Sequence, residues 1–308
     1  MADTTPRLWK RIVGYGAFTI FALTLSFFVT FPYEPLKEQI KMQADHLGLD
    51  MTINSLGPGF FSLRAGGIEI GKKVEGDQVA ERLKIDSLSI APMLFPPGVS
   101  VKVSAMGGDV SVAVSGMSSL RVKANIDEID LSRGNVKGYT GVDLAGSISG
   151  VIDVSIPKTA AASGSTTEPD LTQMSGSVRL DTKNVTVNGG TISVPIPQYG
   201  PDPTPVDLPK IVFGDILGRI TIDKGAAAID EFTSKSSDLE SAITGSLKMG
   251  KKLEYSESNL EIRLKPDPEF QKRLGMIGMA LSRIGADPKD PAWRMGRLTG
   301  YIGRPQFR

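Results

Sequence analysis

A run of twenty uncharged, mostly apolar residues lies near the start of the chain, from Ile12 to Phe31. At about 1.5 Å of rise per residue, a helix of this length covers roughly the 30 Å hydrocarbon core of a bilayer. Basic residues outnumber acidic ones in positions 1–11, which favours a cytoplasmic tail and export of the remainder. We therefore predict a tail at 1–11, a transmembrane anchor at 12–31 and a periplasmic domain at 32–308. The anchor residues are Ile12, Phe18, Phe21, Leu25, Phe28 and Phe31.

A cleaved signal peptide is the alternative for this run. It requires a shorter apolar stretch and a cleavage site of small residues, whereas here the run ends in Phe27–Phe31, FFVTF. The sequence favours an uncleaved, single-pass anchor in the inner membrane.

After the anchor the pattern is first helical and then alternating. Pro35 to Leu47 predicts a short helix, with a proline in its first turn and Gly48 as its stop. From Leu49 onward, apolar and polar positions alternate with the period of two that is typical of strands with one apolar face. In the stretch from Val99 to Val114, Gly107-Gly108 predicts a tight hairpin turn.

Later segments continue this alternating pattern until a second helical segment. Even positions from Val142 to Ile156 stay apolar, which predicts one long strand that is bent at Gly146 or Gly150. Asn188-Gly189-Gly190 predicts a turn between two short strands. Glu269 to Gly285 has apolar residues at helical spacing and predicts a second short helix.

Two irregular segments divide the periplasmic part. Lys158 to Asp170 is small and polar, which predicts a mobile loop. Pro195 to Pro209 is rich in proline, which cannot donate regularly to a sheet. We expect this second segment to be a loop that crosses the end of a sheet; a proline-rich docking site is the alternative.

The fold class that follows is mainly β. We predict an elongated, curved antiparallel sheet or a flattened barrel with two short helices, because alternation over so many segments requires one apolar face. The candidate residues of the apolar inner face are Val101, Val112, Leu144, Ile152, Val154, Ile222 and Ile262.

The composition excludes most kinds of catalytic and metal site. The chain contains no cysteine and one histidine, His46, so no thiolate or multi-histidine metal site can be assembled. We also expect no serine–histidine triad, because His46 lies near the end of the first predicted helix, where it is most simply a surface or C-cap contact. The run GGIEIGKK at Gly66–Lys73 resembles a phosphate loop, but it ends in lysine rather than serine or threonine and alternates like a strand. A net charge of +1 gives no field that would attract nucleic acid. We expect no enzyme, no cofactor, no metal and no nucleic-acid partner.

Three segments carry a resemblance to a known family. Met51–Lys73 (MTINSLGPGFFSLRAGGIEIGKK), Phe213–Met249 and Arg297–Arg308 (RLTGYIGRPQFR) resemble the type II secretion system protein N family in its fused, single-span, β-rich form. The middle segment is also similar to the broader AsmA-like group. Nearly the whole chain takes part, through glycine and aliphatic positions rather than polar ones. The resemblance implies an AsmA-like β domain, held in the periplasm by an inner-membrane anchor.

Two functions follow from this resemblance. The family implies an accessory or structural component of a type II secretion system, with other secretion proteins, such as secretin or pseudopilus components, as partners. The AsmA-like group implies instead a lipid-binding or lipid-transfer protein whose apolar β groove holds acyl chains. The sequence favours the structural role, mainly on the family resemblance, but the aliphatic inner-face residues suit either function.

Overall fold

The structure is a computed structural model that describes positions 33–59, 61–72, 82–160, 167–194, 204–275, 278 and 284–307, with scattered positions between 14 and 30. Within these residues, we find no helix that is long and apolar enough to cross a membrane. Of the predicted anchor residues, only Phe18 is described, and its side chain is exposed. Ile12, Phe21, Leu25, Phe28 and Phe31 lie outside the described residues, so the anchor stays a prediction.

The described residues include sixteen strands, three α-helices with defined bounds and 3₁₀ turns at Leu131–Arg133, Leu171–Gln173 and Leu253–Tyr255. The helices are α1 (Tyr33–His46), α2 (Lys137–Thr140) and α3 (Pro268–Arg273). The strands are β1 (Leu49–Gly59), β2 (Ser62–Lys72), β3 (Leu83–Met93), β4 (Gly98–Ala105), β5 (Gly108–Ser115), β6 (Ser119–Asp130), β7 (Val142–Ala160), β8 (Thr167–Pro169), β9 (Ser175–Val194), β10 (Thr204–Leu208), β11 (Ile211–Asp223), β12 (Ala226–Lys235), β13 (Leu239–Lys248), β14 (Glu257–Pro266), β15 (Arg294–Tyr301) and β16 (Arg304–Phe307).

All strands belong to one antiparallel sheet in which each strand pairs with the next along the chain. The small strands β8 and β10 leave this order and pair only with β7 and β9 respectively. The path runs from β1 to β16 without closing, so the described sheet is open rather than a barrel. The predicted mainly β class with an antiparallel sheet is confirmed.

The structure describes the first predicted helix fully and the second only in part. Helix α1 agrees with the predicted helix within two residues, and it packs on β1 through Ile40. Helix α3 covers Pro268–Arg273 of the second predicted helix, a turn follows at Leu274–Gly275, where Gly275 has a φ of 54°, and position 278 is helical again. Much of 276–283 lies outside the described residues. The short helix α2 has no counterpart in the predicted elements.

Three turn and bend predictions can be compared with the backbone. Strand β7 bends where predicted, since its register with β9 shifts beside Gly146, which has a φ of 117°. The hairpin between β4 and β5 turns at Met106-Gly107, one residue earlier than predicted. The predicted turn at Asn188–Gly190 is wrong, because these residues lie inside β9, where Gly189 and Gly190 pair with β7 and Gly190 also pairs with β10.

The two predicted loops are partly replaced by strands. Strand β7 continues to Ala160 and β8 pairs with its end, so 161–166 are the only positions of the first loop outside the described residues. In the proline-rich segment, β10 pairs with β9 and with no other described strand. Its Pro205 is tolerated because an outlying strand needs no donor on its free side. Positions 195–203 lie outside the described residues.

Three apolar clusters hold the sheet. The first joins α1 to β1–β3 around Ile53 and Ile68. The second lies at mid-sheet around Val154, Ile222 and Ala227. The third lies where Phe270 and Leu274 cover Leu239. These clusters place most of the buried apolar side chains on one face of the sheet.

Candidate apolar binding face

A row of aliphatic side chains runs across the middle of the sheet. Residues directly opposite each other in paired strands point to the same face, so the strand register alone identifies the row. Over eight neighbouring strands, from β3 to β12, its members are Ile90, Val101, Val112, Ala124, Ile152, Val178, Ile220 and Ile229. At about 4.8 Å between strands, the row is roughly 34 Å long. We call it the central row.

A second row lies on each side of the central row, two residues along every strand, and therefore on the same face. Towards the chain ends of β5, β7 and β11, the members are Val99, Val114, Val122, Val154, Gly176, Ile222, Ala227 and Leu247. On the other side they are Leu88, Val103, Val110, Ile126, Gly150, Leu180, Gly218 and Phe232. The three rows together form the apolar face.

Two glycines open a groove in this face. Gly150 and Gly218 both oppose Leu180, one on each side, and neither adds a side chain to the row. Neither glycine has a positive φ, but an added Cβ would lie 2.9 Å from the carbonyl oxygen of Arg179 at Gly150 and 3.2 Å from the Phe232 ring at Gly218. The groove has a volume of about 150 Å³, and its lining residues are Ile126, Gly150, Ile152, Val178, Arg179, Leu180, Gly218, Ile220 and Phe232. The missing side chains thus leave an apolar depression in the sheet.

A second apolar depression lies at the first strands. It has a volume of about 140 Å³ between α1 and β1–β3. Its lining is entirely apolar: Ile40, Met51, Ile53, Leu56, Leu63, Ala65, Ile68, Ile70, Ile85, Leu88 and Ile90. Because Leu88 and Ile90 also belong to the rows, both depressions lie on the same apolar face.

The apolar face is only partly covered in the described part of the chain. Strands contact chiefly their hydrogen-bonded neighbours, and no second sheet packs on them there. Within the central row, Ile152, Val178 and Ile220 are half-buried and Ile90 is exposed. In a two-layer domain such central positions are covered by the opposite layer. This face therefore keeps apolar surface in contact with solvent.

Five of the seven predicted inner-face residues lie in the three rows, and two lie outside them. Val101, Val112 and Ile152 belong to the central row, and Val154 and Ile222 to the row beside it. Leu144 opposes Val187, which in turn opposes Ile211 beside the cluster of Phe270. Ile262 opposes Ile243 near the far edge. Sequence reasoning missed Gly150, Gly218 and Phe232, which shape the central groove, since nothing local marks them as neighbours across strands.

The opposite face of the sheet is polar and carries ion pairs. Arg121 donates from Nε and Nη2 to the two carboxylate oxygens of Asp153, at 3.0 and 2.9 Å. These hydrogen bonds hold the pKa of Asp153 below its usual value. Four serines and Gly176 lie around the pair: Ser119, Ser155, Ser175 and Ser177. The pair is solvent-accessible and joins β6 to β7, which is a structural contact rather than a reactive one.

A second ionic cluster fixes the segment before β15 to the sheet. Asp287, whose side chain is 4% exposed, pairs with Arg263 of β14. The Arg263 guanidinium also lies 5.1 Å from the ring centroid of Trp293, and Lys265 Nζ lies 5.9 Å from it. The backbone N–H of Lys289 donates to Asp287 and, together with Arg263, holds its pKa below the usual value. The cluster stabilises the connection between α3 and β15.

We expect acidic pH to reduce the stability that Asp287 gives to the connection between α3 and β15. A carboxyl group whose pKa is lowered by folding stabilises the folded state above its unfolded pKa, and this stabilisation is lost as pH falls through the folded value. The usual value for Asp287 is 3.8, so we expect the free energy of unfolding to fall as the pH drops below about 4. In an Asp287→Asn variant, this fall should be smaller and stability at neutral pH lower. Urea denaturation between pH 2 and pH 7 measures both quantities; an unchanged acid dependence in the variant would contradict the assignment.

Among the described residues, no group of three or more histidine, aspartate and glutamate side chains could hold a metal ion. The two depressions make the apolar face the candidate binding surface. No protein-family model, no curated protein and no solved structure matches this chain.

Proposed function

We propose that this protein is an inner-membrane-anchored periplasmic protein that holds the acyl chains of lipids on the apolar face of its sheet. The observation that carries the proposal is the open apolar face, with three aliphatic rows and two apolar depressions. Such a face gains free energy when an apolar ligand removes it from water, at about 25 cal/mol per Å². The resemblance to the AsmA-like group supports the same function.

The dimensions of the face favour a chain-like ligand. Each depression, at about 150 and 140 Å³, is smaller than the roughly 300–1,000 Å³ of an ordinary small-molecule site. The rows between them extend across many strands without a charged member. A flexible acyl chain fits this arrangement, because it can lie along the rows and fill both depressions.

The experiment is to purify the full-length protein from membranes and identify bound molecules by native mass spectrometry and lipid extraction. We expect phospholipid or another acylated lipid to copurify in a stoichiometric amount. A Gly218→Leu variant should reduce the bound lipid several-fold, because the new side chain fills the groove between Leu180 and Phe232. Ala228→Leu is the matched control, since it adds the same side chain to an exposed position of β12.

A second substitution tests the groove if Gly218→Leu alters folding. Val178→Thr makes the groove more polar at nearly constant volume, so it should also lower the amount of bound lipid. Val151→Thr, at a 47% exposed position on the polar face, is its control. A lipid-free wild-type protein, or equal lipid in all variants, would overturn the proposal.

A structural role in a type II secretion system is the second candidate. Strands β1 and β16 end the described sheet and each has one edge without a paired strand. Unpaired edges offer main-chain hydrogen bonds to a partner. The resemblance to the secretion system protein N family supports this function, with secretin or pseudopilus components as partners. Crosslinking in intact cells from single sites on β1 and β16 tests it: crosslinks to these components with no bound lipid would favour this role over the carrier.

A further inference from the structure

Two neighbouring turns present apolar side chains to solvent at one end of the sheet. Leu94 and Phe95, between β3 and β4, are 77% and 95% exposed, and Met117, between β5 and β6, is 77% exposed. The N–H of Gly116 donates to the carbonyl oxygen of Pro97 at 3.0 Å, which holds the two turns together. Neither turn, at 94–97 and 116–118, contains a charged residue. We call these three side chains the tip patch.

The tip patch lies at the end of the sheet where β1 also ends. Strands β1, β3 and β5 are parallel to one another because each is separated from the next by one antiparallel strand. The turn after β1 is therefore beside the turn after β3, and there Phe61 is 57% exposed. One end of the first strands is thus lined with exposed apolar tips.

Helix α1 runs back towards the same end. The chain reverses at Gly48 between α1 and β1, and Ile40 packs against the cluster of Ile53 and Ile68 in the middle of the strands. From Ile40, seven further residues take the helix about 10 Å towards its start at Tyr33. The helix start, which follows the predicted anchor, is therefore directed to the end of the sheet that carries the tip patch.

We propose that the tip patch inserts into the surface of the same membrane that holds the anchor. This inference rests on the anchor of the proposed function but not on the lipid groove. Uncharged apolar tips enter the boundary between headgroups and acyl chains without desolvating an ion. The anchor brings the turns to this surface, so the occupant is a phospholipid bilayer rather than a protein. The two attachments hold the sheet in one orientation above the membrane.

The chain has no cysteine, which allows single labels to be placed without other changes. Full-length Leu94→Cys and Met117→Cys variants carry an environment-sensitive fluorophore and are reconstituted in liposomes of phosphatidylethanolamine and phosphatidylglycerol. We expect a blue shift of emission and quenching by nitroxide-labelled lipid at both positions. Leu47→Cys is the matched control, because Leu47 is 76% exposed at the opposite end of β1. It should emit as in water and resist quenching.

A fourth label, at Phe21→Cys, separates failure of the tip patch from failure of the anchor. If the label at 21 is quenched while those at 94 and 117 behave like 47, the tip patch is overturned and the anchor stands. If all four labels stay in water, both are overturned. Shielding of positions 94 and 117 in cell envelopes but not in protein-free liposomes would assign the tips to a protein partner and would also overturn the membrane contact.

Discussion

Replacing Ala227 with aspartate should lower the free energy of unfolding by about 3–5 kcal/mol, the cost of leaving a buried charge without a partner. Ala227 is 1% exposed and lies in the mid-sheet cluster with Val154 and Ile222. The side chains that pack around it there, such as Ile220 and Leu247, are apolar, so the new carboxylate would be desolvated among them. Urea denaturation at pH 7, followed by circular dichroism, measures the loss.

The neighbouring alanine supplies the control for this experiment. Ala228 is the next residue in β12, but it is exposed on the polar face opposite Thr221 and Ser246. Ala228→Asp should therefore change stability by no more than about 0.5 kcal/mol. Equal losses in the two variants would mean that the faces of β12, and with them the three rows, are assigned wrongly.

The second large effect is expected for Phe270→Ala, at about 3–5 kcal/mol. The Phe270 side chain is 2% exposed and packs with Leu239 and Leu274 where α3 covers one end of the sheet. Truncation removes the transfer free energy of the ring and leaves a cavity, since the surrounding strands are held by their hydrogen bonds.

Phe95→Ala is the control of the same type, because the Phe95 side chain is 95% exposed. Its unfolding free energy in the absence of membranes should be within about 0.5 kcal/mol of the wild type. Thermal and urea denaturation of both variants provide the comparison. A small loss for Phe270→Ala would show that α3 contributes little to the fold and that the apolar face is open at this end as well.

The two proposed functions, lipid carrier and secretion component, require different surfaces of the same sheet. A carrier needs apolar surface that its own side chains leave partly unfilled, as Gly150 and Gly218 do. A structural component needs strand edges that a partner can reach, as β1 and β16 provide. The geometry of the face supports the carrier more strongly than the sequence does, because the sequence pattern gives no sign of whether a second layer covers the apolar residues.

Errors in the sequence predictions have identifiable physical causes. Asn188–Gly190 has the composition of a turn, but β7 supplies hydrogen bonds to the backbone there and β9 continues through it. The helix predicted from Glu269 is interrupted by a turn at Leu274–Gly275, where the positive φ of Gly275 breaks the helical backbone, and much of 276–283 lies outside the described residues. At Asn188–Gly190, the tertiary context overrode a local preference.

By itself, the sequence determined the class of this protein. Alternating apolar and polar residues specify strands with one apolar face, and this property is local, because successive side chains of any strand point to opposite sides. Lack of cysteine and the single histidine limited the available chemistry in the same direct way. Only the tertiary structure decided the openness of the sheet and the position of the groove. Gly150, Leu180 and Gly218 are far apart along the chain, and the register of three strands brings them together.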